Sequence, residues 1–277
     1  MKNIILIFKE IIFNLQLMWT VARYNNKAAF QGHYFGLAWE ILDPLIQIGI
    51  YFFMFGLMRA RPDITVGMDG NTIDVPFFAW MLIGMTAWLF MNKVILSGAQ
   101  SIQKKITLVS KMQFPMSIIP GMTLASRLTS YFVTVITMVL VLFLMGFFPT
   151  LYWIQFIYYF IAMLIFVYFF TLLNSTLTML FRDYINILRP FMRFMMFFAG
   201  VIWNIAEMPR MPNWFVRLMD LNPFSYITTG FRYTFFSRAY FWQHPETSIF
   251  FWLLVLVIAL GASHLHLKYR NKFIDLA

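Results

Sequence analysis

The stretch from Trp153 to Phe181, WIQFIYYFIAMLIFVYFFTLLNSTLTMLF, contains no charged residue. About 20 consecutive apolar residues suffice for a helix to cross the hydrocarbon core of a bilayer. The rest of the chain has the same character. It is 277 residues long, 61% hydrophobic and 12% charged, with a mean hydropathy of +0.72. A soluble domain averages about 45–50% apolar and roughly 25% charged residues. One core in a chain of this size would leave much of that apolar surface in water. A soluble enzyme is therefore excluded, and the bilayer is the natural solvent. Aromatic residues make up 20% of the chain, more than interfacial belts require. There is no cysteine, which excludes disulfides, thiolate metal sites and a Cys nucleophile.

Outward from this stretch, five more spans are predicted: about Leu37 to Met58, Phe77 to Ile95, Ile118 to Phe147, Pro190 to Ile205, and Ile249 to Leu267. Tilt absorbs the extra length of the third and fourth spans in chain order. The first 30 residues read differently. On a helical wheel Lys2, Asn3, Lys9, Glu10, Asn14, Gln16, Thr20 and Arg23 share one arc, interrupted by Leu6, Phe13 and Leu17. Ile4, Ile5, Phe8, Ile11, Ile12, Leu15, Met18 and Trp19 lie opposite. That pattern predicts a helix lying in the membrane interface with its cationic face in water; a seventh, poor span is the alternative. The expected architecture is one all-α integral membrane domain over residues 1–277.

The net charge is +10, and its distribution sets an orientation. Lys2, Lys9, Arg23 and Lys27 precede span one. Lys104, Lys105 and Lys111 lie between spans two and three, Arg182 and Arg189 between four and five, and Lys268, Arg270 and Lys272 after six. The other side carries half as many: Arg59, Arg61, Arg210, Arg217, Arg232 and Arg238. Cytoplasmic loops hold the excess of Lys and Arg, so both termini are expected inside. Topology thus accounts for the basic balance, and nucleic-acid binding is not required. No G-x-x-x-x-G-K-[ST] stretch is present, so P-loop ATP hydrolysis by this chain is not expected. His264 and His266 are two apart and do not share a helix face, so no metal site is expected.

Three cations fall inside predicted spans: Lys93, Arg127 and Arg193. Each costs about 2.5–3.5 kcal/mol at the bilayer centre. At about 1.5 Å per residue, Lys93 is about 16 Å from Lys104 and Arg127 about 18 Å from Pro115. All three therefore belong to the cytoplasmic half. They snorkel to lipid phosphates, or Arg127 pairs with Glu40 to offset its burial, or they form a site for a phosphate-bearing substrate. Ser101 to Lys111 is amphipathic and too polar to span. Its Ser101, Gln103, Lys104, Lys105, Leu108 and Lys111 suit a helix lying along the membrane against a partner. After span five, Pro209, Pro212, Pro223 and Pro245 forbid one long helix. The aromatics there, with Trp214, Phe224 and Tyr226 among them, suit either an interfacial belt or the surface of a sugar or polyol. Tyr51 and Phe52 are candidates for the same lining.

Four stretches together carry a family resemblance. They are Gly36–Pro44 leading into Tyr51–Gly56, Leu108–Pro120, Phe181-Arg182-Asp183, and Leu221–Phe224 followed by Gly230-Phe231-Arg232. In order and spacing they resemble the ABC-2 type permeases that export polysaccharides and teichoic acids. The wording of the first two looks closest to the wall teichoic acid translocation permeases of Gram-positive bacteria. Asp63 to Val75 is longer than that pattern. The resemblance implies a homodimer of six-helix subunits in the bacterial cytoplasmic membrane. Each subunit would bind a cytoplasmic ATPase, which supplies the ATP and Mg sites. It implies export of a polyol-phosphate polymer on an undecaprenyl diphosphate carrier. Residues 100–114 then match the coupling helix, residues 1–30 the helix beside the ATPase that gates lipid access, and residues 206–247 an extracellular segment with re-entrant helices. The functional reading of Arg127, Arg193 and Lys93 becomes a loading site for the carrier diphosphate. An O-antigen or capsule exporter is the first alternative. A transferase on lipid-linked sugars would need an acidic cluster, and the 11 Asp and Glu are scattered. A secondary transporter would favour repeated halves, and the sequence has no visible repeat.

Overall fold

The computed structural model describes residues 2–30, 34–54, 63–68, 71–109, 115–181, 183–202, 204, 212–243 and 245–273. In chain order the elements are α1 (Lys2–Phe13), α2 (Leu15–Phe30), α3 (Trp39–Phe52), β1 (Ile64–Met68), β2 (Asn71–Val75), α4 (Phe77–Ala99) and α5 (Ser101–Val109). Then follow α6 (Ile118–Leu144), α7 (Phe156–Leu180), α8 (Tyr184–Phe198), α9 (Asn213–Asp220), α10 (Pro223–Phe235) and α11 (Pro245–Tyr269).

Among the described residues, four helices are long and apolar enough to cross a membrane: α4, α6, α7 with the 3₁₀ turn before it, and α11. They correspond to predicted spans two, three, four and six. Span one is shorter than predicted among the described residues, and span five, predicted short, is displaced towards the N-terminus. Helix α3 has 14 residues and α8 has 15, against about 20 for a crossing. The end of predicted span one, residues 55–58, lies outside the described set, whereas α8 stops at Phe198, where the chain turns through Gly200 at positive φ. Helix α8 also starts earlier, at Tyr184, so Pro190 sits inside it.

The N-terminal helix is not continuous. It bends by 61° between α1 and α2. Asn14 donates its side-chain amide to the Glu10 carbonyl at 2.7 Å, while its backbone N–H turns to Ile11 O at 3.1 Å. A side chain that takes over a ladder carbonyl is a recognised cause of a kink. The two halves together are apolar enough to count as a fifth span. Ile7, Met18 and Ala22 are buried, whereas Ile5, Leu6, Ile12, Phe13, Leu15 and Trp19 are exposed. The wheel placed Glu10 towards water. Instead it faces the protein and accepts from Arg270 Nη1 at 3.1 Å and from the Ser117 hydroxyl.

Helix α4 is the central post. In its most apolar 18-residue window 83% of residues are buried, against 28% in α6 and in α11. It packs on α6, α7 and α10, and α7 in turn packs on α11. At one end of the bundle Ile102, Ile119, Met179 and Phe273 form a small core joining α5, α6, α7 and the C-terminal turn. At the other end lies a feature the all-α reading did not anticipate. Strands β1 and β2 pair antiparallel, Ile64 with Val75 and Val66 with Ile73. Ile64, Val66 and Val75 are buried and Thr65 is exposed, the period-two alternation of a half-buried strand. β1 packs against α10.

Helix α10 shows why Leu-Asn-Pro-Phe stands where it does. Asn222 is its N-cap, accepting from Phe224 N at 3.1 Å, and Pro223 occupies the first helical position. Asn at the cap and Pro at N1 are the preferred residues there.

Candidate functional site

Asn92 and Lys93 are neighbours on α4, so they point about 100° apart. Each opens onto its own cleft. Lys93, Arg127, Ser130, Thr134 and Thr86 line a narrow gap between α4 and α6, closed by Pro44 of α3. Here Lys93 pairs with the Asp43 carboxylate, which Gln47 also bonds, at 3.0 Å. Lys93 thus has an acid partner on α3, and its charge is balanced. The predicted Arg127–Glu40 pair lies outside what is described, because the Glu40 side chain is not described. Arg127 is exposed.

The second cleft runs between α3, α4 and α8 and measures about 250 Å³. Gln47, Asn92, Arg189 and Arg193 line it, over a floor of Trp88, Met192 and Met196. Arg189 and Arg193 are one turn apart on α8 and both exposed. The three in-span cations therefore do not form one site: Lys93 and Arg127 share one cleft, and Arg193 joins Arg189 in the other. Arg189 was read as a loop charge because α8 was expected to begin at Pro190.

Helix α5 covers Ser101–Val109, shorter than residues 100–114. Lys111 and residues 110–114 lie outside the described set, as does the Leu108 side chain. Ile102 packs inward, Ser101 donates to the Gly98 carbonyl at 2.6 Å, and Gln103 and Lys104 are exposed. Lys105 is half-buried, and desolvation lowers its ammonium from the ordinary range. The helix thus has an anchored face and a basic free face.

The aromatic candidates separate. Phe224 is a core residue, 5.5 Å from Trp88 and 5.1 Å from Phe166 between ring centroids. Trp214 is exposed. Tyr226 is buried, and its hydroxyl contacts those of Tyr158 at 2.9 Å and Ser248 at 3.0 Å. The Tyr51 and Phe52 side chains lie outside the described set. At the mouth of the Tyr226 cavity Asp220 is exposed, and the desolvation it meets there raises its carboxyl from the ordinary value.

One residue the sequence reading misplaced is Arg232, counted there as a surface charge. It is 4% exposed. Its guanidinium donates to the carbonyls of Trp80 at 3.3 Å, Gly200 at 3.0 Å and Val201 at 2.9 Å, and its Cζ lies over the Trp80 ring. Gly84 makes room, since a Cβ there would overlap the guanidinium. Arg232 ties α10 to α4 and to the turn after α8, a structural role for the Gly-Phe-Arg motif.

The ABC-2 type transporter family model matches residues 16–236. The O-antigen export system permease protein RfbA of Myxococcus xanthus is 22% identical over 263 residues, covering 94% of both chains. Its namesake from Klebsiella pneumoniae is 22% identical over 257 residues, covering 92% of this chain and 93% of its own. A bundle built of long apolar helices around α4, with the family pattern running through most of its length, belongs to the ABC-2 type transporter family of membrane permeases.

Proposed function

We propose that this chain is the membrane subunit of an ATP-driven exporter for a lipid-linked cell-surface polysaccharide. The observation that carries the reading is the family match over residues 16–236, together with relatives named as O-antigen export permeases that align nearly end to end. The chain acts as a homodimer in the cytoplasmic membrane, with both termini and α5 inside, and recruits two copies of an ATPase through the basic face of α5. A polyol-phosphate polymer of the teichoic acid type is the second reading, favoured by the wording of Gly36–Pro44 and Leu108–Pro120.

The cleft of Arg189 and Arg193 is the better loading site for the carrier diphosphate. Two guanidiniums there face two amide side chains and no carboxylate among the described lining residues, whereas Lys93 is already neutralised by Asp43. Arg binds phosphate oxygens through two donors at once. The test is depletion of the chain in cells, followed by chemical analysis of polymer retained on the cytoplasmic side. Retained glycan supports the O-antigen type, retained polyol phosphate the teichoic type, and an unchanged polymer distribution overturns export.

A further inference from the structure

A second cavity, of about 200 Å³, lies between α7, α10 and α11, at the end of the bundle that carries the hairpin. A single water needs only about 10–15 Å³ of such space, so this one holds a ring-sized ligand or a cluster of waters. Tyr159, Asp220, Tyr226, Thr229, Tyr233 and Ser248 are among its walls. Gly230 helps to shape it, since a Cβ at that position would overlap the Tyr159 ring.

The hydrogen bonds behind one wall have a fixed direction. Trp252 Nε1 donates to the Tyr158 hydroxyl at 2.9 Å. That hydroxyl contacts the Tyr226 hydroxyl at 2.9 Å, which contacts Ser248 Oγ at 3.0 Å. Ser248 donates to the Phe241 carbonyl at 3.0 Å. An indole N–H only donates and a carbonyl only accepts. Since the Ser248 proton is committed to Phe241, Tyr226 must donate to Ser248, and Tyr158 must donate to Tyr226. Both cavity-lining hydroxyls of this relay have spent their protons and keep only lone pairs. The Asp220 carboxylate adds further acceptors. The relay and Asp220 thus present acceptors beside tyrosine rings.

We infer that this cavity binds a single neutral, polyhydroxylated unit, a glycosyl or polyol residue, which donates its hydroxyls to Asp220, Tyr226 and Ser248 and lays its C–H face on the tyrosine rings. A phosphate group is disfavoured, because its negative charge would meet the Asp220 carboxylate with no cation among the described lining residues. The source of the ligand, though not the site, rests on the polysaccharide-export reading: it is one unit of the polymer in transit.

The test uses the full chain with its ATPase in lipid nanodiscs and saturation-transfer NMR. The probes are methyl glucoside, methyl galactoside, rhamnose and ribitol, with glycerol 3-phosphate as the anionic control. At least one neutral probe is expected to give a saturable signal and glycerol 3-phosphate none. Asp220→Asn should weaken the titration about tenfold, and Thr229→Trp, which fills the cavity, should abolish it, both with unchanged melting temperature. No signal from any neutral probe, preference for the phosphate, or a signal unmoved by either folded variant overturns the site. A variant-sensitive signal in a protein whose depletion retains no polymer upholds the site and overturns the export reading instead.

Discussion

Glu10 and Arg270 meet at 3.1 Å, joining the first helix of the chain to the turn that follows its last. The second Glu10 oxygen takes the Ser117 hydroxyl, and the Ser117 carbonyl accepts from Tyr168 at 2.9 Å. One carboxylate therefore fastens α1 to α6 and α11 at once. Glu10→Ala should loosen α1 more than Arg270→Ala does, because it also leaves Ser117 unpaired. A double-mutant cycle on melting temperature should give a Glu10–Arg270 coupling of about 1 kcal/mol, the upper range for a partly exposed pair. Limited proteolysis ahead of Asn14 should accelerate in both variants. A cycle near zero would mean the pair is a bystander and Ser117 holds the helix.

Arg232 concentrates three carbonyl bonds and a tryptophan face in one buried guanidinium. Lysine carries its three donors on one nitrogen and cannot reproduce the planar fork that reaches these carbonyls. Arg232→Lys should cost roughly 2–3 kcal/mol through carbonyls left without donors. Gly84→Ala should produce a similar loss by displacing the guanidinium. Because both act on one contact, the double variant should fall well short of the sum. Thermal unfolding of the purified chain reads all three; strict additivity would separate Gly84 from Arg232.

What the sequence disclosed follows from what varies along one helix. Long uncharged runs mark α4, α6, α7 and α11 because each must satisfy its backbone within itself in lipid. Asn222-Pro223 carries a helix-start signal in its local capping chemistry, although the sequence reading uses Pro223 as a break in one long helix and not as a helix start. The kink at Asn14 was hidden because an Asn in a polar arc looks solvated, and only the fold brings its amide onto Glu10 O. The hairpin was passed over because its strands span only five residues each. Its alternation, with Asp69-Gly70 between the strands, is a hairpin signal within a segment that read only as extra length. The Lys93–Asp43 pair was beyond reach for another reason. Its partners are 50 positions apart, and no periodicity encodes which helix face meets which.

Charge reversal on α5 separates docking from folding. Replacing Lys104, Lys105 and Lys111 together by Glu should reduce co-purification of the ATPase while the chain still inserts, because Lys104 lies on the free face. Ile102→Ala should instead lower stability by about 2–5 kcal/mol, since Ile102 is fully buried against Ile119 and Phe273. Accessibility labelling of both termini controls for a flipped topology. Undiminished co-purification with topology intact would show that the ATPase docks elsewhere.

The two cationic clefts make opposite predictions under one assay. ATP turnover by the reconstituted chain and ATPase should rise when a lipid diphosphate is added. Arg189→Gln with Arg193→Gln removes the two guanidiniums of the wider cleft, which has no carboxylate among its described lining residues, and should abolish most of that stimulation. Each lost charge-assisted contact is worth about 1.5–3 kcal/mol, or roughly ten- to hundredfold in affinity. Fold should survive, because both side chains are exposed. Lys93→Met should act differently. It leaves the half-exposed Asp43 carboxylate with Gln47 as its described partner, so it should lower melting temperature only slightly and be rescued by Asp43→Asn. Its stimulation by lipid diphosphate should stay close to that of the unaltered chain. Arg127→Gln, next to a cation that is already neutralised, should reduce stimulation less than the α8 pair. If Arg127→Gln alone abolishes stimulation while the α8 variants respond normally, the loading site belongs between α4 and α6 instead.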